Sequence, residues 1–505
     1  MKRIFALILA ISLLFAGCAA QKPELSLGGA TEILLSDDGV TVDGKDATFD
    51  GTTSLIPAVY TKNDILYYPE GKDFTFGDAA EGEAHSAQAA DAHTVVHITQ
   101  PGTYRVSGTL SKGQIAVDLG ERAKENPNAV VRLVLDGVDL TCTVAPAIIF
   151  YNVFECGSSD EENAQAVVNT EAAGANLYIA DGSTNTVNGA YVARIYESYE
   201  LSEDGTKVED YETLHKYDGA VYSCMSMNVL GHGTLNINAE NEGLDSELHL
   251  TVDGPTVNIN SANDGINTNE DGVSVTTVNS GKLNITVNGK SGEGDGIDSN
   301  GWLVINGGSV TASACGTSGD AGIDSDLGIH LNGGTVTASG NMMDRIGEST
   351  STYAVFHFTE RQEGGKTYRL KDAGGNTVLE ATPQNAFASL ILSSPDLKAG
   401  TYTLWQGDTQ LKTATGGFGG HGGGMGRGER PEDFDPEKMP KDFDPEKLPA
   451  PPSDLDPEKM PTPPDWKHPE GERPQSPYFS EKIIPNLEFT PELSIKDGEN
   501  QFVVE

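Results

Sequence analysis

The sequence predicts an all-β protein built as a parallel β-helix, and three observations carry that expectation. The phrase Glu242-Gly243-Leu244-Asp245-Ser246 returns as Asp264-Gly265-Ile266-Asn267-Thr268, as Asp295-Gly296-Ile297-Asp298-Ser299 and as Ala321-Gly322-Ile323-Asp324-Ser325, at intervals of 22 to 31 residues. A second phrase of alternating Leu/Val/Ile and Asn/Thr keeps step, opening at Gly233, Gly254, Gly281, Gly308 and Gly334. Helical periodicity is absent, and each repeat holds short strand-like pieces separated by Gly, Asn, Asp and Ser. A unit this small cannot bury its own apolar face, so it must stack on its neighbours.

Stacking has a chemical consequence. Alternation turns Ile266, Ile297 and Ile323 inward and Asn267, Asp298 and Asp324 outward. Neighbouring strands sit ~4.8 Å apart, so Asp245, Asn267, Asp298 and Asp324 form a column. A second column holds Glu247, Asn269, Asn300 and Asp326, and a third acidic set, Glu242, Asp264 and Asp295, precedes the glycines. Two like charges at that spacing repel by roughly 0.9 kcal/mol even in water. Calcium takes carboxylate and amide oxygens and would relieve this by bridging two rungs. Its leading ligands are Asp245, Asn267, Asp298 and Asp324, followed by Glu247, Asp264, Asp295 and Asp326. The alternative is that the Asp and Asn side chains only terminate turns, the neutral rungs relieving the repulsion.

The Asp-Gly-Ile-Asp-Ser phrase and the Gly-Gly-x-Val-Thr-Ala-Ser phrase at Gly307 and Gly333 resemble those of secreted clostridial β-helix proteins that bind cellulose and acidic sugars. The fold of that family is similar to that of pectate and polygalacturonate lyases. The resemblance covers roughly residues 64–411 and is most specific over 231–339. It implies a calcium-bearing, right-handed parallel β-helix at the bacterial surface that binds plant-type polysaccharide.

Taken in order, residues 1–18 read as a lipoprotein signal: Lys2-Arg3, an apolar run from Ile4 to Phe15, then Ala16-Gly17 before Cys18. Cys18 is the expected lipidated N-terminus, so the chain is expected to be exported, anchored to the bacterial membrane and surface-exposed. Residues 19–63 are a polar tether with the first strands, and 64–345 the β-helix. Between Gly189 and Asp218 the rhythm breaks for an excursion bearing Tyr191, Tyr196, Tyr199, Tyr211 and Tyr217, a candidate for stacking on sugar rings. Residues 346–415 read as a small antiparallel β-domain that caps the last coil. Residues 416–480 form a low-complexity Gly/Pro/acidic segment, repeating Asp435-Pro436-Glu437-Lys438 at Asp444 and Asp456, and are expected to be disordered. Residues 481–505 end in a strand.

A net charge of −42 and a pI near 4.4 argue against nucleic acid as a partner and suit a cation-rich exterior. Cys142, Cys156, Cys224 and Cys315 lack metal or redox spacing and are expected mainly as buried thiols, with one disulfide open. No nucleophile elbow, P-loop, dinucleotide fingerprint or HExxH motif occurs. The first functional expectation is thus a monomeric, calcium-stabilised polysaccharide-binding lipoprotein without catalysis. The enzymatic alternative is a calcium-dependent lyase, for which Lys290 is the candidate base. A structural surface spacer or adhesin is the third.

Overall fold

The computed structural model describes residues 29–51, 55–67, 85–192, 196–202, 204–213, 216–416 and 487–505. The expected signal segment with Cys18, and all of the low-complexity segment beyond Gly416, lie outside the described residues. What is described is all-β: helix is confined to Ala87–Asp91 and a few short 3-10 turns.

The strands sort into one large mixed sheet, a seven-stranded sheet, a small antiparallel sheet and an isolated hairpin. In the seven-stranded sheet, Thr94–Ile98, Gly113–Asp118, Ile148–Asn152, Gly219–Ser223, Glu242–Ser246 and Ile266–Thr268 follow one another in parallel. Val59–Lys62 joins its edge antiparallel.

The expectation of a right-handed parallel β-helix is corrected by the large sheet. Six parallel strands there close into a ring. Val131–Thr141 pairs with both Ala175–Ile179 and Thr184–Gly189. Those continue to Met227–Gly231 and Thr234–Ala239, and both of these meet His249–Ser261. Further strands extend this closed barrel, and antiparallel ones make the sheet mixed: Phe387–Ser393 runs antiparallel between Thr335–Gly340 and Tyr353–Gln362.

The physical reason lies in strand continuity. The repeat was expected to break into short pieces at its glycines. Instead His249–Ser261 and Val275–Val287 run thirteen residues each, straight through Gly254 and Gly281. Gly254 has φ +113 and sits so close to the next rung that a Cβ would lie 2.4 Å from the Gly231 carbonyl oxygen. Only glycine bends there without leaving the sheet. One strand therefore pairs with two neighbours along its length, and the pairings close.

Two cores result. The larger is lined by the inward residues of the repeats, among them Leu244, Ile266, Ile297 and Ile323, all fully buried. The smaller gathers Phe356, Phe358, Tyr368, Phe387, Leu404 and Phe502. Its last member comes from Glu499–Val504, which pairs in parallel with Tyr353–Gln362, so the chain's end returns to this unit. The four described cysteines are free thiols, Cys142 and Cys315 fully buried.

Candidate functional site

The acidic column begins from backbone sterics. A Cβ on Gly243, Gly265 or Gly296 would lie 2.3–2.5 Å from the carbonyl oxygen of the corresponding glycine one rung on. Glycine at this point lets successive rungs approach, and alternation then fixes which side chains face out. Asp245 lies opposite Asn267 in the ladder. The Asp298 amide donates to the Ile266 carbonyl at 2.8 Å and the Asp324 amide to the Ile297 carbonyl at 2.7 Å, which carries the register onward. The structure thus brings Asp245, Asn267, Asp298 and Asp324 into one row. A second row, Glu247, Asn269, Asn300 and Asp326, follows through the amide of Asn269 on Ser246, of Asn300 on Thr268 and of Asp326 on Ser299. Its Asn269 side-chain amide donates to Asp245 Oδ1 at 2.8 Å.

Asp264 and Asp295 do different work. Asp264 Oδ1 accepts the Asp295 backbone amide at 2.6 Å, and Asp295 Oδ1 accepts the Ala321 amide at 2.5 Å. Each carboxylate holds the turn of the following rung, as the turn-chemistry alternative describes.

The electrostatics are severe. Burial, then Glu242 and Glu247, pushes the Asp245 carboxyl well above its ordinary range. Burial does the same at Asp264, with Glu242 next, and at Asp295, with Asp264 next. Asp298 is raised to about 7 by burial and by Asp264 and Asp326, and Asp324 to about 8 by burial, Asp344 and Asp298. Glu247 is raised by burial, against the hydrogen bond it accepts from the Tyr222 hydroxyl. The first row opens toward solvent along its length: Asp245 and Asn267 are buried, Asp298 and Asp324 half-buried, and Asp326 at the end of the second row is exposed.

Four oxygens of this cluster have no hydrogen-bond donor among the described residues: Asp245 Oδ2, Asn267 Oδ1, Asp324 Oδ1 and Asp344 Oδ2. Buried acceptors without donors are rare and call for a partner. Hard-cation chemistry fits them, since calcium takes carboxylate and amide oxygens alike. Among the described residues no three Asp, Glu, His or Cys side chains gather as a ready cage. The acceptors are strung in a row, so an ion held there would take few protein ligands and keep positions for water or a ligand's oxygens.

Lys290 stands elsewhere. It lines a cleft with Glu240 and a set of asparagines, and it is Glu240 that feels its charge. The tyrosine excursion forms the hairpin Tyr196–Leu201 with Val208–Thr213. In it Tyr196 stacks on Tyr211 at 4.3 Å between ring centroids, and Tyr199 and Tyr211 are partly exposed. Tyr217, just past the hairpin, packs edge-on against Tyr151 and Tyr222.

A family model described as a carbohydrate-binding domain-containing protein matches residues 92–364, more than half of the chain. This chain belongs to that family. The carbohydrate-binding span contains the acidic rows, the asparagine cleft and the tyrosine hairpin. A curated carbohydrate-binding domain-containing protein of Acetivibrio thermocellus is 30% identical over 165 residues, 32% of this chain and 44% of that protein. The chain therefore spans less than half of that relative's length. A solved gadolinium derivative of a polysaccharide lyase-like protein from C. thermocellum aligns over 59% of this chain and 90% of its own. Its TM-score is 0.34 at 20% identity, too low to bear on fold or activity.

Sequence reasoning missed Asp344 altogether. It follows the last repeat, carries no phrase, and reaches Asp324 only through the fold. Tyr222 was also missed, although it occupies the rung before Asp245 in the same register. Carrying the repeat one rung back would have found it.

Proposed function

We propose that this carbohydrate-binding protein takes an acidic polysaccharide through calcium held on the Asp245, Asn267, Asp298 and Asp324 row, with Asp344 at its open end. The observation that carries the reading is the set of donor-less oxygens on carboxylates whose charge burial and mutual repulsion oppose. Bound calcium would supply the positive charge that lets these carboxylates ionise, and its remaining positions would admit a uronate carboxylate. Asp264 and Asp295 contribute by holding the turns that space the row. Tyr199 and Tyr211 offer ring faces for the apolar side of a sugar. Export and anchoring through Cys18 complete the proposal. No helix among the described residues is long and apolar enough to cross a membrane.

Calcium titration calorimetry on the whole chain tests this, beside retention on polygalacturonate with calcium or chelator. Binding heat and calcium-dependent retention are expected, both weakened at least about tenfold in Asp298→Ala and Asp324→Ala. Absence of calcium heat together with unchanged retention in chelator would sink it. Loss of signal in Cys18→Ser from the membrane fraction, with the protein appearing in the medium, is the outcome expected for the anchor.

A further inference from the structure

The large sheet carries a second polar feature, on strands other than those of the acidic rows. Thr141, Asn188, Asn238 and Asn260 stand at matched positions on successive strands. The Asn188 amide donates to Thr141 Oγ1 at 2.9 Å, and the Asn238 amide to Asn188 Oδ1 at 2.8 Å. One strand on, the Asn288 amide donates to Asn260 Oδ1 at 3.2 Å. Between Asn238 and Asn260 the ladder is interrupted: no hydrogen bond joins the two side chains among the described residues. Asn238 Oδ1 and the Asn260 amide group are left as an acceptor and a donor side by side, and both residues are exposed. They line a cleft of about 450 Å³ whose charged members are Glu240 and Lys290.

A sugar hydroxyl both donates and accepts, and so satisfies an adjacent amide oxygen and amide N–H at once. The rung spacing of ~4.8 Å sets this one open pair a strand apart, at the interruption of the ladder, and the cleft's volume lies within the range of ligand sites. One acid and one base leave the lining without net charge. We infer that this asparagine cleft is a second, metal-independent carbohydrate site that takes a neutral pyranose chain, with Asn238 and Asn260 reading ring hydroxyls and Glu240 and Lys290 engaging them at the ends. The inference rests on the family's carbohydrate binding and is independent of the calcium row.

The test is calorimetry of the whole chain in chelator with cellohexaose, xylohexaose and mannohexaose. At least one is expected to bind, about tenfold more weakly in Asn238→Leu/Asn260→Leu and severalfold more weakly in Glu240→Gln/Lys290→Met. The second pair lies outside the ladder, so it speaks to binding even if the first pair disturbs the sheet. Asp298→Ala should leave neutral binding unchanged while losing calcium-dependent retention on polygalacturonate. No binding of any of the three hexaoses, or equal affinity in wild type and the Glu240/Lys290 variant, would overturn the cleft and leave the calcium row standing. Neutral binding lost in Asp298→Ala and kept in both cleft variants would likewise overturn it.

Discussion

Asp298 and Asp324 bring a carboxylate problem into the fold that an unfolded chain does not have. Their carboxyls titrate near 7 and 8, above the ordinary 3.8, because burial and neighbouring acids oppose the charge. The native state then holds these protons more tightly than the unfolded state does. That contribution to stability is complete below the ordinary carboxyl range and is lost as pH rises through about 7 at Asp298 and about 8 at Asp324. In chelator the melting temperature should therefore fall between about pH 5 and about pH 8.5, and calcium should flatten the slope. Asp324→Asn should raise the melting temperature by about 2–4 °C at alkaline pH in chelator and abolish most of the calcium response. A flat profile in chelator would show that the row is solvated rather than desolvated.

The strands that carry these residues depend on glycine. Gly296 sits where an added Cβ would be 2.3 Å from the Gly322 carbonyl oxygen, with the Ala312 methyl at 2.8 Å. Backbone cannot yield as a flexible side chain can, so Gly296→Ala is expected to cost about 1–3 kcal/mol in chemical denaturation and to weaken calcium binding by prising the rungs apart. Full stability in that variant would contradict the close approach. The phrase containing Gly296 was legible as a repeat, and so was its inward isoleucine, because alternation and glycine punctuation are local properties. The length of His249–Ser261 was not, since whether Gly254 ends a strand or carries it through a bend depends on the partner strand beside it. The tyrosine excursion was legible as an interruption. Its stacking of Tyr196 on Tyr211 depended on hairpin register.

Over the whole molecule, the chain's end decides whether the second core exists. Phe502 stacks on Phe356 at 5.5 Å between centroids and is fully buried, although 146 residues separate them in sequence. Phe502→Ala should cost about 3–5 kcal/mol and melt the C-terminal unit ahead of the larger core, seen as a split transition in calorimetry. A single unshifted transition would mean that the two cores are one cooperative unit, with Phe502 marginal to it. The net charge of −42 acts at this same level: self-repulsion disfavours the compact state, and divalent cations lessen it.

The amino-acid sequence by itself determined the all-β class, the repeat, the membership of the acidic rows and the inward face of each phrase, because period-two alternation and glycine spacing act over a few residues. Only the tertiary structure decided how the strands join. It closed six parallel strands into a ring where stacked coils were expected, and it set Asp264 and Asp295 to hold turns while Asp245 and Asp324 kept oxygens without donors. It also brought Asp344 to the row and left Asn238 and Asn260 open at the cleft. Those outcomes depend on which backbone amide or side chain arrives from a distant strand, and no local pattern encodes that arrival.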